Sequence, residues 1–186
     1  MTETAVGPRP PGPSLLGIAD LERFRAPDRR LELVDGHLFV SALDTPYLER
    51  LTANAHALVS GTARPGRTVR ANEAIVFDDR TLLVPDVSVL HGGPGSDLEL
   101  VLEIRSDSTE RYALGPKRMV YSRNQVDEYW FLDPRAGSLR VFRRVPGQPD
   151  YRWPPEELRP GDVATAPALA RPIAVADLFL EEEAQE

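Results

Sequence analysis

The sequence predicts a mixed α/β (α+β) fold: a mixed β-sheet flanked by helices, with a β-hairpin near the N-terminus. Three observations carry this expectation. Residues 98–105 alternate, with Leu98, Leu100, Leu102 and Ile104 set against Glu99, Val101, Glu103 and Arg105, which is the two-residue period of a strand. Residues 46–60 place Leu48, Leu51, Ala55, Leu58 and Val59 at the spacing of an amphipathic helix. Between residues 31 and 40 two apolar runs meet at Asp35-Gly36, and Asp-Gly supplies the positive φ values of a two-residue hairpin turn.

The remaining elements follow in order. Residues 1–13 hold Pro8, Pro10, Pro11 and Pro13 among glycine and small residues; such a segment has no face to bury and reads as a disordered arm. A short helix is expected over 15–24, before the hairpin. After the 46–60 helix, residues 69–77 read as one strand ending at an Asp78-Asp79 turn. Residues 82–90 read as a second strand, interrupted by Pro85, which lacks a ladder donor and so belongs at an edge, a start or a bulge. Beyond strand 98–105 and the loop Ser106 to Thr109, Gly115-Pro116 resembles the N-cap and first position of a helix running to Arg123. That places Lys117 in a first turn, where the helix dipole opposes it. Strands are expected at 127–132 and 139–143, with another near 151–153. A wrapping loop over 154–172 and a closing segment at 173–180 complete a single domain, 14–180, followed by an acidic tail at 181–186. Alternation of strands with helices is what suggests a mixed sheet with helical flanks.

Composition narrows the function classes. The chain has 186 residues and no cysteine, which excludes disulfides, thiolate metal sites and a cysteine nucleophile. There is no apolar run long enough to span a membrane and no leader pattern at the start, so the cytoplasm is the expected compartment. A net charge of −7 argues against a general nucleic-acid coat, which leaves a basic footprint. The stretch from Glu103 to Arg123 reverses the balance, with five basic residues against three acidic ones, so an anionic ligand could be met locally. Any metal must be held by carboxylates or by His37, His56 and His91, and oxygen donors point to Mg2+ or Mn2+.

Lysine usage singles out one position. Of 22 basic residues 21 are arginine, and Lys117 is the only lysine. Drift could leave one lysine anywhere, but an ammonium is a compact point charge that a guanidinium does not replace beside a reacting group. Lys117 follows Asp86, in L-V-P-D-V-S-V-L, and Glu103, in L-V-L-E-I-R. There are three Pro-Asp pairs, Pro27-Asp28, Pro85-Asp86 and Pro149-Asp150; the second alone lies in an apolar strand pattern ahead of an E-x-basic strand. An Asp and a Glu on adjacent strands with a Lys on a neighbouring helix form a minimal kit for metal-assisted phosphodiester hydrolysis. The carboxylates hold a divalent ion that polarises the phosphate and acidifies bound water, and the ammonium orients that water or stabilises developing charge.

With these residues, E-L-V-D-G at 32–36, L-V-L-E-I-R-S-D-S-T at 100–109, K-R-M-V-Y at 117–121 and V-D-E-Y-W-F-L-D-P at 126–134, the chain resembles the PD-(D/E)xK superfamily. Within it, the resemblance is to a restriction-endonuclease-like bacterial family long catalogued as a domain of unknown function. It covers roughly 15–180 and implies a restriction-endonuclease-like core. In that family the lysine of the E-x-K strand has moved to the following helix, and Lys117 falls on that position. By the same implication Asp86 and Glu103 are metal ligands, the Ile104 carbonyl adds a third, Glu32 is an accessory acid, and the protein is an Mg2+- or Mn2+-dependent endonuclease acting on DNA as a homodimer.

The chain departs from the family at several places. Arg105 stands where the superfamily often has lysine, as a candidate phosphate contact or a residue lining the sheet. Ala113 replaces a typical Asp four residues before the lysine. Gln125 replaces a Gly, and the family's histidine near Tyr47 is absent. These changes support an alternative, a non-catalytic nuclease-fold descendant acting as a binding or regulatory module. A third reading, a sheet-edge assembly protein, has only the acidic tail behind it. Glu73 points with Ile75 and Phe77 in the expected strand, the three histidines share no metal-binding spacing, and Tyr129, Trp130 and Phe131 read as strand core.

Overall fold

The computed structural model describes residues 15–92, 97–106 and 110–180. The expected arm at 1–13, the acidic tail at 181–186 and residues 107–109 of the loop lie outside the described residues. A 3-10 turn at Ile18–Phe24 precedes the hairpin β1 (Arg29–Val34) and β2 (His37–Ala42). The hairpin turn is built as the sequence predicts, with Asp35 at φ 51° and Gly36 at φ 80°. A Cβ at Gly36 would also lie 2.7 Å from the Leu15 Cβ, so glycine is required there both for its backbone and for space. Helix α1 (Pro46–Thr62) starts where Pro46 meets Thr45, whose hydroxyl accepts the Leu48 N–H at 3.3 Å.

The two strands expected at 69–77 and 82–90 are corrected to four: β3 (Arg67–Ala71), β4 (Ile75–Asp78), β5 (Thr81–Leu83) and β6 (Val87–His91). They form one antiparallel ribbon that bends midway, β4 pairing with β5 and β3 with β6. The bend falls at matched places. Asn72 turns left-handed at φ 54° on one strand, Pro85 removes a donor on the other, and the Asn72 N–H donates to the Asp86 carbonyl at 3.1 Å. One end of the ribbon joins the hairpin in a four-stranded sheet of order β2-β1-β5-β4. The other end enters a six-stranded sheet completed by β7 (Asp97–Ile104), β8 (Glu128–Asp133), β9 (Ser138–Arg143) and β10 (Glu156–Leu158), in order β10-β9-β8-β7-β6-β3. Only β7 and β8 in it run parallel, as their helical crossover requires. The strand expected at 151–153 reduces to an isolated bridge between Arg144 and Tyr151. The 154–172 stretch, expected as a loop, contains β10 and β11 (Val163–Ala164); the latter pairs with β12 (Ile173–Ala174).

The crossover corrects the expected helix start. The described helix begins at Glu110, as α2 (Glu110–Tyr112), passes through a π turn at Ala113–Lys117 and continues as α3 (Arg118–Arg123). Gly115 and Pro116 therefore lie inside the helix, and Lys117 is not in a first turn. A proline here has no N–H for the carbonyl four residues back and would press on it; widening the spiral by one residue lets the chain pass. The helix ends in a Schellman motif, with the Val126 N–H donating to the Tyr121 carbonyl at 3.1 Å and the Gln125 N–H to Ser122 at 3.0 Å. Gln125 holds φ 61°.

The six-stranded sheet carries an apolar cluster on each face. Leu100, Leu102, Ile104, Trp130 and Leu132 pack with Leu51, Ala55 and Val59 of α1. On the opposite face Val101, Tyr129 and Phe131 pack with Val120 and Tyr121 of α3, and with Val34 and Leu83 of the smaller sheet. The register shifts between Val89 and Leu90, opposite Glu99. This bulge turns Leu98 to the second cluster, away from the side on which strict alternation had set it. No described helix is long and apolar enough to cross a membrane.

Candidate active site

Each side chain of the site reaches it from a different element. On β7, Glu103 alternates with the buried Leu102 and Ile104 and so faces the second cluster, towards the crossover helix. On β1, Arg30, Glu32 and Val34 share a face, and Val34 lies in that same cluster. Asp86 follows Pro85 at the bend of the ribbon. Its Oδ2 accepts the Ile104 N–H at 2.6 Å, which ties it to the strand that carries Glu103.

Lys117 is the centre of the arrangement. Its Nζ donates to both carboxylate oxygens of Glu103 at 2.9 Å and lies 2.9 Å from Glu32 Oε1. Glu32 Oε1 also accepts the Val84 N–H at 2.7 Å, and Glu103 Oε1 accepts the Tyr121 hydroxyl at 2.8 Å. The Tyr112 ring, stacked on Phe39, lies 5.4 Å from Nζ. The structure thus brings Glu32, Asp86, Glu103 and Lys117 together, each only 4% exposed. The π turn, rather than a helix N-terminus, sets the position of Lys117.

Four further polar side chains, which sequence reasoning missed, complete the cluster: Arg30, Asp44, Asn72 and Tyr121. Arg30 donates through Nη1 to Asp86 Oδ1 at 3.1 Å, and through Nη2 to Asp44 Oδ2 at 2.7 Å and Asn72 Oδ1 at 2.8 Å. Its signal was available: Arg30 stands two residues before Glu32, on the same face of a strand. Tyr121, four residues after Lys117 on one helix, was legible in the same way. Asp44 and Asn72 carried no local signal, since only the bend and the approach to α1 bring them in. Arg105 stands apart, with Nη1 on Asp133 at 3.0 and 3.2 Å and Nη2 on Glu110 at 2.9 Å. Glu73 pairs with Arg70 at 3.2 Å, and His91 with Glu99 at 3.5 Å.

The electrostatics follow from this crowding. Glu32, Asp44, Asp86 and Glu103 face Arg30 and Lys117, four carboxylates against two cations. Burial, against the pull of Lys117 and helped by Asp86 and Glu32, raises the Glu103 carboxyl from 4.5 to about 7. Burial works against the Lys117 ammonium, but Glu103, Glu32 and Asp86 more than offset it and hold the group above the ordinary lysine value. Arg30 is raised in the same way: burial opposes its charge, and Asp86 and Asp44 outweigh it.

This donor set suits a hard divalent cation. Its oxygens are carboxylate, its formal acidic excess is two charges, and among the described residues Asp86 Oδ1 and Glu103 Oε2 each accept one hydrogen bond, which leaves a lone pair on each. Among the described residues no three His, Asp or Glu side chains form a ready metal cage. Mg2+ does not require one, because it is held by one or two carboxylates and keeps several waters.

Comparison with known proteins identifies the family and the fold. The family model described as "Putative restriction endonuclease", Uma2, matches residues 18–176. The chain belongs to the Uma2 family. A crystal structure described as "a putative nuclease belonging to DUF820", from Anabaena variabilis, superposes with a TM-score of 0.70 over 88% of this chain and 97% of that one, at 15% identity. The two share a fold, the restriction-endonuclease-like fold that the motifs implied. No curated protein matches the chain. For this Uma2 protein the carboxylates and lysine carried by the family motifs are the ones that converge, although they lie far apart in sequence and on four different elements.

Proposed function

We propose that this Uma2 protein is a divalent-metal-dependent endonuclease that hydrolyses phosphodiester bonds of DNA. The observation behind the reading is the buried cluster itself: an acidic excess gathered around a lysine, with two carboxylates that retain free lone pairs. Asp86 and Glu103 would hold Mg2+ or Mn2+, with the Ile104 carbonyl as a further oxygen. The ion would supply charge to polarise the phosphate and to acidify a bound water.

The other residues have separable roles. Lys117 keeps its proton at neutral pH, because the surrounding carboxylates hold it above the ordinary value. It therefore acts as a donor and a positive charge, not as a base, and would steady the attacking water or the charge that develops on phosphate oxygens. Glu32, fixed by the Val84 N–H, orients Lys117. Tyr121 does the same for Glu103. The depth of the cluster favours a second reading, a non-catalytic descendant that binds or regulates, since every charged member already has a partner within the chain.

Calorimetry with Mn2+ and nicking of supercoiled plasmid test the two readings. Mn2+ binding is expected for the wild type and its loss in Asp86→Asn, a substitution that keeps an acceptor for the Ile104 N–H. Metal-dependent nicking should disappear in Lys117→Ala while Mn2+ still binds. Equal Mn2+ affinity in Asp86→Asn would sink the metal site, and cleavage unchanged by Lys117→Ala would remove that residue from the mechanism. Metal binding by the wild type without nicking of any DNA would support the non-catalytic reading.

A further inference from the structure

Arg30 is the cation of the cluster that neither the family motifs nor the hydrolytic scheme uses. Its side chain is 16% exposed, more than the 5 to 6% of Glu32, Asp86, Glu103 and Lys117 and close to the 19% of Asp44. Its partner Asp44 lines a cleft of about 350 Å3 with Thr45, Tyr47, Arg105 and Ser106. Arg30 thus links Asp44, on the wall of that cleft, to Asp86.

The two oxygens of Asp86 are not equivalent. Oδ2 is bound at 2.6 Å to the Ile104 N–H; a metal on that oxygen would share it with a short hydrogen bond from a buried backbone donor. Oδ1 is the oxygen left for a cation, and it is the one that Arg30 Nη1 occupies at 3.1 Å. A guanidinium and a divalent ion on one carboxylate oxygen repel each other strongly in so buried a place. Lys117 sits on Glu103 and Glu32 and not on Asp86, so at Asp86 the competing cation is Arg30.

We propose that Arg30 stands in for the metal at Asp86: it neutralises that carboxylate in the metal-free protein and must leave Oδ1 when the ion binds. The proposal rests on the metal-dependent reading above. It makes Arg30 an internal competitor that sets the metal concentration the protein needs. Its remaining acceptors, Asp44 Oδ2 and Asn72 Oδ1, give the displaced guanidinium a place on the cleft side without full exposure. A residue that served only to hold Asp86 in position would act in the opposite sense, because its removal would weaken metal binding.

Mn2+ titration of the full-length protein by calorimetry separates these cases. Arg30→Met is expected to bind Mn2+ at least about tenfold more tightly than the wild type, since one positive charge beside the ion is gone. Arg30→Gln keeps an amide donor for Asp86 and serves where the methionine variant does not fold; it should shift affinity in the same direction. Binding that is equal or weaker in the folded variant overturns the stand-in role and leaves the metal site intact. If neither wild type nor variant binds Mn2+, the metal-dependent reading fails and takes this proposal with it.

Discussion

Lys117 is the only lysine of the chain, and burial explains why an ammonium serves there. A compact charge reaches both oxygens of Glu103 and one of Glu32 at 2.9 Å, whereas a guanidinium presents its donors in a fixed planar fork. Glu103 carries the strain of the arrangement. Its carboxyl is raised from 4.5 to about 7, so the folded state binds its proton more tightly than the unfolded state does. Its contribution to stability is therefore full below the unfolded value and is lost as pH rises through the folded one. The metal-free protein is expected to lose urea resistance between about pH 5 and about pH 8, and Glu103→Gln, with no proton to release, should show a flatter profile. Urea midpoints at the two pH values check this, and a wild-type midpoint that rises over the interval would contradict it.

At the level of elements, two irregularities build the site: the bend at Asn72 and Pro85, and the π turn around Pro116. The bend delivers Asp86 and Asn72, and the π turn sets where Lys117 projects. The helix that carries Lys117 is secured at its far end, where Arg123 donates to Asp35 at 2.6 and 2.9 Å and joins α3 to the hairpin turn of β1 and β2. Just beyond that end, Gln125 takes the left-handed position of the Schellman motif at φ 61°, a conformation that glycine adopts without strain. An L-residue there costs about 1 kcal/mol relative to glycine. Gln125→Gly is thus expected to stabilise the protein by about 1 kcal/mol, read from urea denaturation, and to leave Mn2+ affinity unchanged because the helix keeps its place. A destabilised variant would show that the Gln125 side chain contributes more than its backbone costs.

Across the whole molecule, β7 and β8 form a wall between two apolar clusters. Leu102 and Trp130 face α1 while Val101, Tyr129 and Phe131 face the crossover helix and the smaller sheet, so neither cluster can lose its packing without exposing the other's strands. Cooperative unfolding should follow. Fluorescence of Trp130, buried in the first cluster, and near-ultraviolet dichroism of Tyr121 and Tyr129, buried in the second, are expected to report one transition at the same urea concentration. Separate midpoints would mean that the clusters are independent units. Net charge of −7 is a property of the same scale: it disfavours long-range attraction of DNA, which leaves any substrate contact to the local surface around the cleft.

Much of this was legible along the chain. Alternation in 98–105, helical spacing in 46–60 and Asp35-Gly36 are local patterns, and strand and helix periods express them whatever the surroundings. The motifs around Glu32, Asp86, Glu103 and Lys117 marked the residues that the fold gathers. Local pattern could not show that two strands bend at matched points, because Asn72 and Pro85 act together only once the ribbon is paired. Nor could it show that Gly115-Pro116 lies inside a helix, since the dipeptide suits a start equally well and the segment before it decides. Arg30, Asp44 and Asn72 join the site from three separate segments, through a buried balance of charge that exists only when the hairpin closes over the sheet. The sequence by itself determined the elements, their faces and the acidic and basic residues of the site. The tertiary structure decided which cation sits on which carboxylate, because burial makes those pairings matter and only packing sets their distances.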